Sequence, residues 1–502
     1  LIKNIYGNYN VKIGHDWFIN DRNVVGAILY APGEVQDMRS DKGLTRMWLG
    51  GVPVQDITTD IANRSRSRQY NANLNYTHVF DEKRSAEMTV NLDYYRNGAA
   101  SSNVQNDESV MVDMPAERRL STQSVDTDQT YDIYSAKADY QTVLLKRYMF
   151  EAGAKWALSV TNNNGIEKKT EMPDVLSDFL YREHVAAAYF NVAGQFGEKF
   201  SAKLGLRGEY TNSFGDWRSA GEKSRSSYFD LFPTAYLGFA ASEKVRLSLS
   251  YTRRITRPNY NQLDPTKKYI DAQSYLVGNP ALLPSYNQSV TLSSGFGQHL
   301  SLAVGYDYST KLLIQSPDFD ESGMESMTWA NAGVQHMAYL AFSVSALPVT
   351  KWLDWTFSAT GLYTDANLRE IGRRNSSFGA QVYTDLTFNL PKEWKISMDA
   401  QLQTPMAYNI YRLRTQFQSN FSMRKTLLEN KLILSFRVDD IFNTSNNNLK
   451  MLAPGDSDLY IGQKYYRCKA IVDLTWNFGQ AQSTKARKVG NLDEMSRVGN
   501  NN

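Results

Sequence analysis

The sequence has few of the residues that build disulfides and metal sites. Only one cysteine, Cys468, occurs in 502 residues, which excludes an intramolecular disulfide and a zinc site built from several cysteines. The five histidines are scattered without the spacing of a metal-binding motif. Net charge is also small, at +3, and gives no indication of nucleic acid as a partner. We therefore expect neither a metal ion nor another cofactor.

Long hydrophobic runs are missing as well. No stretch approaches the roughly 18 consecutive apolar residues that a membrane-spanning helix requires. Apolar residues make up 42% and charged residues 21%, both below the shares of about 45–50% and about 25% in soluble domains. Aromatic residues, in contrast, reach 12%, with 31 tyrosines. This composition is typical of a sheet that faces lipid on one side and water on the other.

The motifs of common enzymes are absent too. The sequence has no nucleophile elbow, phosphate-binding loop or paired-carboxylate motif, so we predict no enzymatic activity. A segment beginning at Asp318 and Asp320 resembles the first half of a calcium-binding loop. Trp329 stands where that loop needs a bidentate glutamate, so no metal site is predicted there.

What is present is a period of two. In the segment 245–251, Val245, Leu247 and Leu249 alternate with Arg246 and Ser248. Successive side chains of a strand point to opposite faces, so each such segment has one apolar and one polar face. The same alternation recurs in three further segments, 200–210, 432–438 and 470–478.

The length and connection of these segments indicate the fold class. They run about 12 to 16 residues, against about 5–6 for strands of soluble proteins, and short polar turns alternate with long polar loops. This asymmetry is typical of outer-membrane barrels, whose short turns are periplasmic. We predict an all-β fold, a transmembrane antiparallel β-barrel of about 19 strands, near 5–19, 23–31, 67–80, 85–98, 129–143, 149–163, 180–195, 200–213, 226–240, 245–256, 285–296, 300–315, 325–347, 352–366, 375–390, 394–408, 410–424, 430–443 and 463–478.

The odd strand count carries a further expectation. Bacterial single-chain barrels have an even number of strands and both ends inside. We therefore expect the first strands to be missing, about three if the complete barrel has about 22 strands. Residues 1–478 would form the barrel and 479–502 a polar, solvated periplasmic tail. The strands near 5–19 and 463–478 should then be edges that do not pair with each other.

Two linked motifs carry a family resemblance. The segment R-R-I-T-R-P-N-Y (253–260) and the segment G-N-P-A-L-L-P (278–284) resemble a pattern in the barrels of TonB-dependent receptors. The chain is similar above all to the subgroup described as outer-membrane β-barrel proteins. The further shared features are Asp16–Asn20, Phe232–Leu237, Val438–Asn443, Asn477–Gly479, the tail segment Lys485–Lys488, and Glu494 with Arg497.

The resemblance implies a function and a set of partners. It implies a TonB-dependent transporter in the outer membrane of a Gram-negative cell, which imports an unidentified ligand through a plugged barrel. The implied partners are outer-membrane lipid, an N-terminal plug domain of the same protein that this sequence lacks, and a periplasmic TonB-type energy transducer. A surface lipoprotein is left open as a further partner. Specificity is expected in four loops, 32–66, 99–128, 257–284 and 444–462.

Two other functions remain open for such a barrel. One is a plugless channel or secretion component, and the other is a surface barrel with a structural or adhesive role. The ligand is equally open, because siderophores, cobalamin, oligosaccharides and peptides are all taken up by members of the wider family.

The motif region supplies the candidate site residues. We predict a ligand-binding extracellular rim formed by Arg254, Arg257, Tyr260 and Asn261. The competing interpretation is that the arginines fix the transition from strand to loop, with an arginine reaching toward lipid headgroups. That interpretation is favoured, because arginines shared by a whole family do not specify one ligand. A structural role is predicted for the other motif residues, Arg253, Pro258, Gly278, Asn279 and Pro280.

Overall fold

A computed structural model describes most of the chain. The described residues are 2–49, 52–81, 83, 85–145, 147–271, 273–319, 325–454, 458–464, 468–478 and 493–498. Within these ranges, no helix is long and apolar enough to cross a membrane. The predicted tail motif at 485–488 and the calcium-like positions 320–324 lie outside the described residues.

Strands dominate the fold. They are β1 (Ile2–Asn20), β2 (Asn23–Leu49), β3 (Val52–Asp81), β4 (Ala86–Met111), β5 (Met114–Leu144), β6 (Tyr148–Lys169), β7 (Val175–Phe196), β8 (Phe200–Trp217), β9 (Glu222–Ala240), β10 (Val245–Thr256), β11 (Lys268–Asp271), β12 (Ser274–Val277), β13 (Ser285–Phe296), β14 (Leu300–Phe319), β15 (Glu325–Thr350), β16 (Leu353–Leu368), β17 (Arg373–Leu390), β18 (Trp394–Gln403), β19 (Met406–Tyr408), β20 (Tyr411–Leu413), β21 (Gln416–Leu427), β22 (Leu432–Asp439), β23 (Asn446–Leu452), β24 (Asp458–Lys464) and β25 (Lys469–Trp476). One α-helical turn, α1 (Tyr260–Leu263), and two 3₁₀ turns, Arg369–Ile371 and Asp493–Arg497, complete the elements.

Nineteen of these strands form one antiparallel wall, which confirms the predicted fold class. Each pairs with its neighbour in the chain from β1 to β10 and from β13 to β18. The remaining links are β10 with β13, β18 with β21, β21 with β22, and β22 with β25. The short strands β11 and β12 attach to this wall through a parallel pairing of β12 with β15. A second sheet of four strands contains β19, β20, β23 and β24.

The wall has two open edges. Among the described residues, β1 pairs only with β2 and β25 pairs only with β22. Both edge strands expose large apolar side chains, such as Phe18 (75%) and Val472 (76%). The prediction that the first and last strands do not pair with each other is confirmed.

The two faces of the wall differ as the period of two predicts. In β6, Lys155, Ala157 and Ser159 on the inner face are buried, whereas Trp156 on the outer face is 43% exposed. The outer face suits lipid because its side chains are apolar. Charged side chains of the inner face form ion pairs of opposite sign, including Lys137–Asp139, Lys203–Glu151 and Arg207–Glu209.

Three of the four predicted loops are wrong, because most of their residues belong to strands. The segments 32–66 and 99–128 are mostly strand, because β2 pairs with β3 and β4 with β5 almost to their tips. Polar residues are frequent on both faces here, and even buried positions such as Thr59 and Gln105 are polar, so the apolar alternation that marks a strand in sequence is weak. The segment 444–462 contains β23 and most of β24. Only 257–284 keeps a largely irregular course.

Two apolar clusters lie inside the fold. The aromatic cluster consists of Tyr95, Tyr131, Ile133, Phe179, Tyr181, Tyr260, Leu263, Leu282 and Val498. The aliphatic cluster consists of Leu312, Ile314, Met327, Ala332, Ala366, Leu368, Ile371, Ile410 and Met451. The first cluster joins β4–β7 to the loop 257–284, and the second joins β14–β16 to the four-stranded sheet.

Candidate ligand-binding site

The segment 257–284, called the inward loop below, folds against the inner wall. Tyr260 and Leu263 lie three residues apart in α1, so they share one face of its single turn. Both are buried in the aromatic cluster. The ring of Tyr260 lies 5.8 Å from that of Tyr131 and 6.1 Å from that of Tyr181, measured between centroids. Burial of these two side chains holds the loop inside the barrel.

Gly278 closes the inward loop. A Cβ at this position would lie 2.3 Å from the carbonyl oxygen of Asp264, so any other residue would displace the backbone. The Gly278 amide donates to that oxygen at 2.9 Å, and the Asn279 amide donates to the Gln262 carbonyl at 2.7 Å. The Asn279 side chain donates to the Trp329 carbonyl at 3.0 Å and accepts from the Ala281 amide. These contacts support the structural role predicted for Gly278 and Asn279, and Pro280 occupies the adjoining turn.

A buried carboxylate anchors the other limb of the loop. Asp264 accepts hydrogen bonds from the side chains of Asn163 and Gln129 and, at 3.0 Å, from the Thr266 amide. Burial raises the pKa of the Asp264 carboxyl above its usual value, although Lys268 and these donors oppose the shift. The loop is therefore attached to the wall through the Asp264 carboxyl group, which takes up a proton more readily than an exposed aspartate does.

A cavity of about 580 Å³ lies between the inward loop and the wall. Side-chain amides are the most frequent polar groups in it. They come from Gln36, Asn63, Asn103, Gln129, Asn259, Asn261, Gln262 and Gln315. Trp329, Tyr269, Leu276 and Met38 supply apolar surface, and the charged residues are Arg64, Asp264 and Lys268.

The charges around the cavity compensate one another. Arg64 Nη2 lies 3.6 Å from Asp37 Oδ2, and Lys268 interacts electrostatically with Asp264. In the part of the chain that the structure describes, no three His, Cys, Asp or Glu side chains gather to hold a metal ion. Many hydrogen-bonding groups with little net charge suit reversible binding of a polar molecule, as in most small-molecule sites.

A family model decides the affiliation. The model described as "Outer membrane protein beta-barrel family" matches residues 78–468, which is most of the chain. The chain belongs to this family. Its place is accordingly the outer membrane, in agreement with the apolar outer face of the wall.

Solved structures agree with the family fold. BauA, the ferric preacinetobactin receptor from Acinetobacter baumannii, is 9% identical with a TM-score of 0.54, over 95% of this chain and 79% of BauA. The ferric yersiniabactin uptake receptor FyuA from Yersinia pestis is 13% identical with a TM-score of 0.52, over 92% and 77%. The siderophore receptor PiuA from A. baumannii is 11% identical with a TM-score of 0.50, over 94% and 81%. No curated protein matches the sequence.

The structure does not bring the four predicted rim residues together. Arg254 is exposed at the end of β10. Arg257 points to the wall and donates to Glu209 Oε2 at 2.6 Å and to Thr211 Oγ1 at 2.9 Å. Its side chain is only 14% exposed, which suits a positioning role better than capture of a ligand.

The other two rim residues differ from each other. Tyr260 is buried, and its hydroxyl has no hydrogen-bond partner among the described residues. Burial raises the pKa of Tyr260 to about 12. Asn261 lines the cavity and accepts a hydrogen bond from the Tyr131 hydroxyl at 2.9 Å. Of the four residues, Asn261 is the one that lines this cavity, and ligand contact by any of the four stays a prediction.

Arg253 and Pro258 have structural contacts. The pairing of β9 with β10 ends at Thr252 and Thr234. Arg253 continues the link beyond this point, since Nη1 donates to the Leu231 carbonyl and Nη2 lies 3.3 Å from Asp230. The Pro258 carbonyl accepts a hydrogen bond from Arg497.

The site residues on the wall strands β5 and β6 were not predicted from the sequence. Gln129 and Asn163 line or anchor the cavity from β5 and β6, and neither lies in the family motifs. A signal was present in the run Asn162–Asn164, three amides at the far end of a strand where the short turns do not lie. An amide side chain is unfavourable where it faces lipid. Asn163, the inward-facing residue of the three, donates a hydrogen bond to Asp264.

Proposed function

We propose that the protein is a TonB-dependent receptor that imports a ligand across the outer membrane, with its short turns and the end of its last wall strand in the periplasm. The family supports the location, and the fold resembles three proteins described as a siderophore receptor, an uptake receptor and a ferric preacinetobactin receptor. In this proposal a plug domain of the same protein fills the part of the barrel interior that the inward loop and residues 493–498 leave open, and a periplasmic transducer pulls on the plug. The role is transport, with no catalytic step.

The observation that carries the proposal is the inward loop. It crosses from β10 to β13 by way of the inner wall of β5–β7, where Tyr260 and Leu263 are buried and Asp264 is hydrogen-bonded. A permanently open channel needs a wet and unobstructed interior. A loop anchored inside the barrel, with a polar cavity beside it, suits a receptor that first binds its ligand and then lets it pass. Asn261 and the wall amides are the proposed contacts.

Conductance of the protein extracted from its native membrane tests this function. In planar bilayers the receptor is expected to show no steady ion current, because the interior is closed without an energy source. A plugless channel or secretion component would conduct steadily.

A binding assay with the periplasmic transducer separates the remaining alternative. The receptor is expected to retain the C-terminal domain of the transducer from the same organism on an affinity column. A barrel that neither conducts nor retains that domain would be a structural or adhesive scaffold, and the transport proposal would be withdrawn.

A further inference from the structure

The C-terminal segment lies inside the wall. Residues 493–497 form a 3₁₀ turn, and Glu494, Arg497 and Val498 are buried. Val498 belongs to the aromatic cluster, next to residues of the wall and of the inward loop. The sequence predicted a solvated tail, but these residues have the burial of a packed element.

The acidic end of the segment pairs with a buried lysine. Lys155 Nζ lies 2.9 Å from Asp493 Oδ2 and 3.0 Å from Glu494 Oε1. The Lys155 side chain is 6% exposed and that of Glu494 is 9% exposed, whereas Asp493 is 81% exposed. A buried ammonium group requires an anionic partner. Glu494 is the desolvated one, so it provides most of the compensation.

The basic end pairs with a buried glutamate. Arg497 forms an ion pair with Glu183, in which Nη2 lies 3.3 Å from Oε2. Its Nε donates to the Pro258 carbonyl at 3.0 Å, and its guanidinium lies 4.6 Å from the ring centroid of Tyr260. One side chain of the tail thus contacts the wall and two residues of the motif R-P-x-Y in the inward loop, Pro258 and Tyr260.

The wall is complementary to this segment in charge and spacing. In the described part of the chain, Lys155 on β6 and Glu183 on β7 have no other ion-pair partner within 4.0 Å, while Asp93 and Arg257 act on them electrostatically from farther away. Residues three apart in a 3₁₀ helix lie one above the other. Glu494 and Arg497 therefore present an acid and a base on one face, opposite a base and an acid of the wall.

The chain is long enough for this return. β25 ends at Trp476, which pairs with Leu432 beside the short turn 428–431. Fourteen residues, 479–492, separate the last described residue of that region from Asp493. An extended chain of that length spans at most about 46–50 Å, more than the apolar height of about 25 Å.

We propose that the inner wall of β6 and β7 is a docking site for the chain's own C-terminal segment, Asp493–Val498. The segment neutralises Lys155 and Glu183, and it holds the inward loop against the wall through Arg497. The site selects an acidic residue followed three positions later by arginine and then by an apolar residue.

Covalent cross-linking in native outer membranes tests the docking directly. Asn71 Nδ2 on β3 lies 3.6 Å from Met495 Sδ. In the full-length protein with Cys468→Ser, the pair Asn71→Cys and Met495→Cys is expected to react with a short bismaleimide and to shift on a denaturing gel. The matched control replaces Tyr70, which is 51% exposed on the opposite face of β3, and should not cross-link to the same tail cysteine. Equal yields for both pairs, or none for the first, would overturn the proposal.

Tail variants test the stated chemistry without altering the barrel wall. In the cross-linking background, Glu494→Gln and Arg497→Gln are each expected to lower the yield in a fixed time about tenfold or more, as loss of a buried charged hydrogen bond does. Asp493→Asn is the control, because an exposed ion pair contributes little, and its yield should fall by less than about threefold. If all three variants cross-link like the parent, the ion pairs do not hold the segment and the proposed selectivity is wrong.

Discussion

The two apolar clusters join segments of the chain in different ways. The aliphatic cluster contains only Leu, Ile, Met and Ala side chains, and Leu368, Ile410 and Met451 in it are fully buried. The aromatic cluster borders two buried ion pairs, Arg257–Glu209 and Arg497–Glu183. The first joins β14–β16 to the four-stranded sheet, and we expect this contact, called the fixed joint below, to break only when the protein unfolds. The second lies between the wall and two segments, the inward loop and residues 493–498, and is called the seam below. We expect these segments to separate from the wall without unfolding it.

The largest expected effect is the opening of this seam by Tyr260→Ala. Truncation of a buried aromatic side chain costs about 3–5 kcal/mol, and here the loss falls on docking of the inward loop. Hydrogen exchange of residues 257–284 should accelerate strongly, while the thermal unfolding of the barrel changes little. Arg254→Ala, at an exposed position of the same region, should leave both measurements unchanged. A large drop in barrel stability with Tyr260→Ala would show that the seam is part of the core.

Leu368→Ala should behave in the opposite way. A cavity left by a fully buried leucine costs about 2–5 kcal/mol, and the other residues of this cluster lie in or next to strands, so the loss falls on the sheets themselves. The free energy of unfolding in lipid vesicles should fall by this amount, measured by urea titration. Leu120→Ala, at a side chain that is 76% exposed, is the control and should cost much less. Local exchange near residue 368 without a change in global stability would contradict the idea of a fixed joint.

The contrast explains what the sequence could predict. Apolar alternation, as in Val245, Leu247 and Leu249, arises wherever one face meets lipid, so all nineteen wall strands were located. The halves of β2–β5 that lie away from the short turns carry many polar residues on both faces, so the sequence pattern is weak there and the pairing is seen only in the structure. The partners of Arg257 and Arg497 lie about 50 and 300 positions away in the chain, at Glu209 and Glu183, beyond the reach of any local pattern.

A smaller effect is expected from pH at Asp264. Burial raises the pKa of its carboxyl in the docked loop, so the protonated form is favoured there relative to the undocked chain. Protonated Asp264 therefore stabilises the docked loop fully below the ordinary aspartate pKa of about 3.9. This stabilisation is lost as the pH rises through the raised pKa of Asp264 in the docked loop. Hydrogen exchange of the inward loop, corrected for intrinsic rates, should increase across that window. Asp264→Asn should remove the dependence, and an unchanged pH profile in this variant would assign it to another group.

The smallest effect is expected from Arg64→Gln at the cavity. The Arg64 side chain is 75% exposed and its distance to Asp37 is 3.6 Å, so its ion pair contributes about 0–1 kcal/mol. Thermal stability should not change measurably. A marked loss of stability would mean that the cavity wall is held by charge rather than by strand pairing.

The unequal heights of the wall strands have a consequence for the cell surface. β5 has 31 residues, whereas β22 and β25 have 8 each. At about 3.4 Å per residue and a tilt of about 40°, β5 rises about 80 Å, of which about 25 Å is apolar band. With the short turns in the periplasm, as proposed, the β3–β5 side stands roughly 50 Å above the lipid. Antibodies and bacteriophages would meet this projecting part of β3–β5 first. Small solutes would reach the cavity over the shorter strands, such as β22 and β25.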